Sequence, residues 1–232
     1  MLSFYKFFQQ VRSESTLDRA VVAGQAVYTQ RTLWFYDAAV LGVSNYLIWR
    51  CPTHRLLQLY RTHLSAEHLE IGVGTGFFLK YTPQPKPQRL ALVDLNLHAL
   101  RHTQARLKRP TTVYQRNVLQ PLDLPEAKFK SAAINYVLHC VVGDLYKKSV
   151  ILDHVIAQMQ SGGVIFGSTL LQGENVPRSL PAKGLMALYN HQGIFHNQND
   201  SLEDLQDILA ARFEQFDVIQ VGCAALFWAK VE

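Results

Sequence analysis

The chain has 232 residues, 48% hydrophobic and 18% charged, a balance that suits one globular domain able to bury about 70% of its unfolded surface. No run of about 20 apolar residues exists, so no membrane-spanning helix is expected; Met1–Arg12 carries Lys6, Gln9 and Gln10 within its aromatic stretch, which argues against a secretory leader. Three scattered cysteines without metal-type Cys/His pairing point to a reducing, cytoplasmic setting, and the net charge of +5 comes from dispersed basic residues that read as solvated faces rather than a nucleic-acid groove.

From Ser13 to Ile48 the spacing of Val21, Val22, Val27, Leu33, Val40 and Leu41 predicts helix, dense in aromatics and free of proline. Cys51-Pro52 interrupts it, and a second helix starts near Pro52 or Thr53 and ends before Ser65. Leu69 to Gly72 closes a first buried strand. Phe77 opens a short helix that must stop near Tyr81, ahead of Pro83, Pro85 and Pro87. Leu90–Val93 is a second apolar strand ending at Asp94, and His98–Lys108 reads as an amphipathic helix with Leu97, Leu100 and Leu107 inward. Thr111–Tyr114 and Ala132–Tyr136 are the third and fourth strands.

A helix over Val150–Met159 is expected to end at Ser161-Gly162-Gly163, before a fifth strand at Val164–Ser168. After an irregular section from Leu171 to Gln198, with a helix across Lys183–Asn190, a helix covers Leu202–Ala211. Phe213–Val221 and Ala224–Val231 close the chain as an antiparallel hairpin. Alternating strands and helices imply an α/β doubly wound, mainly parallel seven-stranded sheet.

The stretch Glu70-Ile71-Gly72-Val73-Gly74-Thr75-Gly76 sits where the first strand turns into a helix. Glycines there let a ligand approach the main chain closely. The dinucleotide spacing G-x-G-x-x-G would place a glycine at position 77, where the chain has Phe77. The spacing found, acid-x-G-x-G-x-G, resembles the first motif of class I S-adenosylmethionine-dependent methyltransferases; the alternative is a structural glycine turn.

That resemblance implies a Rossmann-like core over residues 65–232, with the terminal hairpin supplying the family's antiparallel last strand, and an N-terminal helical lid over residues 1–64. It implies S-adenosyl-L-methionine as cofactor: Glu70, Gly72, Gly74 and Gly76 at the methionine part, Asp94 with Leu95 at the ribose, Asn117 with Val118 at the adenine, and Asn135 at the amino-acid part. The family usually has an acid where Asn117 stands; the amide still offers a carbonyl acceptor. Ile134–His139 resembles the family's fourth motif. It lacks the Asn/Asp-Pro-Pro-aromatic run of amino-methylating enzymes, and no proline precedes Cys140 as a cytosine-type nucleophile requires.

Methyl transfer requires mainly alignment of acceptor and methyl, with a base where the acceptor is a hydroxyl. His139 is the candidate base; its alternative is packing beneath the lid. Tyr28, Tyr36, Trp49 and Arg50 are candidates for the acceptor pocket, with His191 and His196 weaker ones. The expectation is a single-domain methyltransferase, monomer or homodimer, acting on a small organic molecule. The alternatives are RNA or protein methylation, a non-catalytic cofactor-binding protein, and a nicotinamide oxidoreductase, which Phe77 disfavours.

Overall fold

The computed structural model describes residues 37–83, 85, 89–125 and 127–232. Seven strands form one sheet: β1 Glu67–Ile71, β2 Arg89–Asp94, β3 Thr112–Gln115, β4 Phe129–Asn135, β5 Met159–Leu170, β6 Phe216–Val221 and β7 Ala224–Lys230, in the spatial order β3-β2-β1-β4-β5-β7-β6. The first five run parallel, and β7 lies antiparallel between β5 and β6. Strand order reverses between β1 and β4, so the connections leaving these two strands diverge and open a crevice at their C-terminal ends.

The helices are α1 Thr53–His63, α2 Phe77–Tyr81, α3 Leu97–Leu107, α4 Leu145–Lys148, α5 Val150–Ile156, α6 Leu180–His191 and α7 Leu202–Ala210. Polar side chains cap four of them: Asn96 accepts from the N–H groups of His98 and Ala99, Asp144 from Lys147, Ser179 from Ala182 and Ser201 from Asp204. Among the described residues, no helix is long and apolar enough to cross a membrane.

The strands alternate between two cores. Leu69 and Ile71 of β1 join Ala91, Val93 and Ile134 on one face. On the other, Leu90, Leu92, Ala133 and Phe166 meet Tyr60 of α1 and Leu100 of α3. His68 and Glu70 are also buried on β1, and a chain of hydrogen bonds satisfies them. Tyr60 Oη donates to Glu70 Oε1 at 2.5 Å, and His68 bridges Glu70 Oε2 at 3.0 Å and Ser131 Oγ at 2.8 Å.

Several expectations need correction. The helix expected over Val150–Met159 stops at Ile156, and β5 already begins at Met159. Phe129 pairs with Met159 and Ser131 with Val164, so Ser161-Gly162-Gly163 form a bulge within the strand rather than a helix end. Gly162 takes φ +77° there. Leu97, expected inward, is 36% exposed at the first position of α3, while Leu100 is buried. Of the long helix expected over 13–48, the described part is Asp37–Ile48, and it is wound as a π-helix; the remainder lies outside the described residues.

One buried ion pair pins the irregular section after α6. Lys148 Nζ donates to Asp200 Oδ2 at 2.7 Å, Oδ1 at 2.9 Å and the His196 carbonyl at 2.6 Å, with both side chains at or below 1% exposure. Removing one partner leaves an uncompensated buried charge. Lys148→Met should therefore lower unfolding free energy by about 3–5 kcal/mol. Lys148→Met with Asp200→Leu should recover most of it in urea denaturation, and equal stability of the two variants would show that the pair is solvated in solution.

Candidate active site

The crevice at the switch point is closed below by the turn after β1. Gly72 N–H donates to the Val93 carbonyl at 2.8 Å and Gly76 N–H to the Val73 carbonyl at 2.9 Å. A Cβ on Gly72 would run into Val137 Cγ2, and one on Gly76 would stand 2.7 Å from Thr103 Cγ2. Both residues also have φ near +70°. Side chains at these positions would push the turn away from β4 and α3. A Cβ on Gly74 would meet nothing within 4 Å, so the main chain there borders open space.

Asp94, at the end of β2, clasps this turn. Its Oδ2 accepts from Val73 N–H at 2.9 Å and its Oδ1 from Asn96 N–H at 2.8 Å. Burial pushes its carboxyl up to about 6, although the backbone donors around it pull the other way. The backbone N–H groups of Gly74 and Leu95 also face this carboxylate. Asn117 Oδ1 accepts from Leu119 N–H at 3.0 Å, and Asn135 Oδ1 accepts from Ser168 Oγ at 2.5 Å. Glu70, Gly72, Gly74, Gly76, Asp94, Leu95, Asn117, Val118 and Asn135 all line one cavity.

The residues considered for catalysis and acceptor binding behave differently. His139 does not line the cavity. It is 4% exposed, its ring lies edge-on to Phe195 at 4.6 Å, and its Nδ1 accepts from Leu170 N–H at 3.3 Å. Burial, with Lys148 nearby, lowers its pKa to about 3. This is the geometry of a packing histidine and does not support a base. Trp49 is a core residue at 3% exposure, 6.2 Å from Phe195. Arg50 is exposed, with φ +54°. Neither lines the cavity, and neither does His191 or His196. Tyr28 and Tyr36 lie outside the described residues.

Sequence reasoning missed other residues of the cavity, Leu41, Tyr60, Tyr136, Cys140, Val141 and Val142 among them. Tyr60 was traceable in principle, because a buried Glu70 on a strand demands a donor from the helix packed on that face. Leu41 and the 140–142 loop carry no comparable signal. Burial pushes the Cys140 thiol up to about 12, so it stays protonated near neutrality.

A glycine turn pressed beneath β4, with a carboxylate at the next strand end, defines a Rossmann-like ligand-binding protein of the doubly wound class. Residues 69–166 match the family model described as a methyltransferase domain. The chain is 40% identical over 219 residues to the demethylluteothin O-methyltransferase of Streptomyces thioluteus, covering 94% of this chain and 95% of that protein. It is 34% identical over 209 residues to the physcion biosynthesis cluster O-methyltransferase of Aspergillus chevalieri, covering 89% and 94%. The structure of a DhpI–SAH complex shares the fold, with TM-score 0.64 at 16% identity over 91% of this chain and 94% of that one. The chain belongs to the class I S-adenosylmethionine-dependent methyltransferase family.

Asp94 yields a pH-dependent expectation. Its folded pKa, about 6, lies above its ordinary 3.8, so in the ligand-free protein it gains a proton as pH falls through that value. Accepting a ligand hydroxyl favours the ionised form. Affinity for S-adenosylhomocysteine should thus be level above about pH 7 and fall by up to about tenfold per unit below the Asp94 pKa. Asp94→Asn should weaken binding about tenfold or more at pH 8 and flatten the dependence. Calorimetry showing the same pH profile in both proteins would remove Asp94 from the site.

Proposed function

We propose that this protein transfers a methyl group from S-adenosylmethionine to an oxygen of a small organic acceptor. The observation that carries the reading is the 40% identity, along nearly the whole chain, to an O-methyltransferase. The cavity supports it: the donor set on the β1, β2 and β4 ends suits a nucleoside with an amino-acid tail, and the part lined by Leu41, Tyr136 and Val141 suits an apolar acceptor.

In this reading Asp94 holds the ribose hydroxyls, and Asn117 and Val118 border the adenine. Glu70, Asn135 and the glycine turn border the amino-acid part. Bound there, the cofactor supplies a methyl group already activated on a sulfonium. What the chain contributes is alignment and exclusion of water.

Among the described residues, the cavity offers no side chain suited to take the acceptor's proton. Tyr60 and His68 hydrogen-bond the Glu70 carboxylate, and backbone N–H groups engage Asp94. The Cys140 thiol stays protonated, and His139 lies off the cavity. The acceptor's own ionisation then sets the rate. With 4-hydroxycoumarin, 4-nitrophenol and phenol as acceptors and homocysteine release as readout, kcat/KM should rise about tenfold per pH unit up to each acceptor's own pKa and then level. Inflections at one pH for all acceptors would reveal an enzyme base. Methylation of benzylamine but of none of the hydroxyls would overturn oxygen transfer.

A further inference from the structure

Tyr136 is the first residue after β4 and holds φ +57°. A side chain of this size is rarely placed in the left-handed region, and such strain persists only where the surroundings enforce it. Contacts of its main chain, ring and hydroxyl do so. Its N–H donates to the Ser168 carbonyl at 2.8 Å, continuing the ladder with β5. Its ring lies edge-on to His139 at 5.7 Å. Its hydroxyl donates to Asn45 Oδ1 at 3.2 Å and also faces the Cys51 thiol.

Asn45 is fully buried on the π-wound Asp37–Ile48 segment. Its Nδ2 donates to Thr53 Oγ1 at 3.0 Å, and its carbonyl accepts from Cys51 N–H at 2.8 Å. Thr53 Oγ1 in turn donates to the Leu41 carbonyl. Leu41 and Tyr136 both line the cavity. The next residue, Val137, is the one that the missing Cβ of Gly72 makes room for. Tyr136 therefore stands between two bodies: its backbone is set by the corner that presses on the cofactor turn, and its hydroxyl is attached to the segment carrying Leu41. The i→i+5 winding is itself a feature that recurs at functional sites.

We propose that Tyr136 is a positioning residue for methyl transfer: the left-handed corner turns its hydroxyl onto Asn45, fixing the Leu41 segment as the acceptor wall. This deepens the methyltransferase reading and rests on it. The hydroxyl does not touch the cofactor in this scheme, so its removal should leave cofactor affinity alone and loosen the wall.

Tyr136→Phe deletes only the hydroxyl and keeps ring and backbone. In the full chain with saturating S-adenosylhomocysteine, amide exchange across 41–48 should quicken about 3- to 10-fold, the scale of one net hydrogen bond. Exchange in β1, β4 and β5 should be unchanged, with affinity within about twofold of wild type and a similar melting temperature. Asn45→Ser should reproduce the local effect, and the double variant should add little to either alone. With 4-hydroxycoumarin as acceptor, KM should rise while kcat changes less. Unchanged exchange in 41–48 would overturn the proposal. So would an equal loss of cofactor affinity, which makes Tyr136 a cofactor contact, or a general rise in exchange with a lower melting temperature, which makes it merely structural. Wild-type protein that binds S-adenosylhomocysteine but turns over no acceptor counts against the methyltransferase reading alone, because the exchange and affinity arms need no acceptor.

Discussion

The structure depends on how closely the turn after β1 can approach the corner after β4. Gly72 faces Val137 and Gly76 faces Thr103 across gaps that a Cβ would close. If either gap widened, Asp94 could not accept from Val73 while also accepting from Asn96. The ends of β1, β2 and β4 would then cease to share one cavity. The constraint is steric, and interior packing leaves little slack to absorb a displaced turn. Behind it, the Tyr60–Glu70–His68–Ser131 chain holds β1 against α1 and β4 from the other face of the sheet.

The part of the cavity proposed for the cofactor is local in sequence. Glu70 to Gly76 are consecutive, and Asp94, Asn117 and Asn135 each follow a strand whose apolar run marks its end. Strand ends at a switch point form the cavity whatever the helices around them do, so motif spacing and strand periodicity were enough to bring these residues together. The same logic made the terminal hairpin legible, since two β-rich runs separated by Gly222-Cys223 have few other ways to pair. The Gly162 bulge escaped because Ser-Gly-Gly after a helix reads equally well as a connection. Only the register between β4 and β5, which no single strand encodes, distinguishes the two.

The part proposed for the acceptor is non-local and was largely illegible. Leu41 reaches Tyr136 across β1 to β4, through a buried asparagine whose partners are set by π-winding rather than by an α-helical period. His139 looked chemical because histidine follows an apolar strand. Its fate depends on Phe195 and Leu170, distant in sequence, and on the charge of Lys148 beside it. Trp49 carries a related ambiguity: an aromatic at a helix end fits a pocket or a core equally well, and here it is buried beside Phe195. The Lys148–Asp200 pair, 52 residues apart, has no sequence signature at all.

This division has an energetic basis. The residues proposed to hold the cofactor sit on backbone N–H groups and strand ends, whose positions the sheet itself fixes, so side-chain identity can drift while the geometry stays. That is consistent with a shared fold at TM-score 0.64 and 16% identity. The acceptor wall uses side chains on segments that the sheet does not fix, and each must be tied down separately. Asn45 on Tyr136 and Thr53 on Leu41 are such ties. Each is a polar contact whose two partners must match to hold the segment in place. Changing the wall therefore requires changing partners in pairs, whereas in the turn after β1 the fixed positions are the glycines, through positive φ at Gly72, Gly74 and Gly76 and through close neighbours at Gly72 and Gly76. Fold and cofactor chemistry are thus expected to be shared widely across such chains, and acceptor choice to vary with the ties.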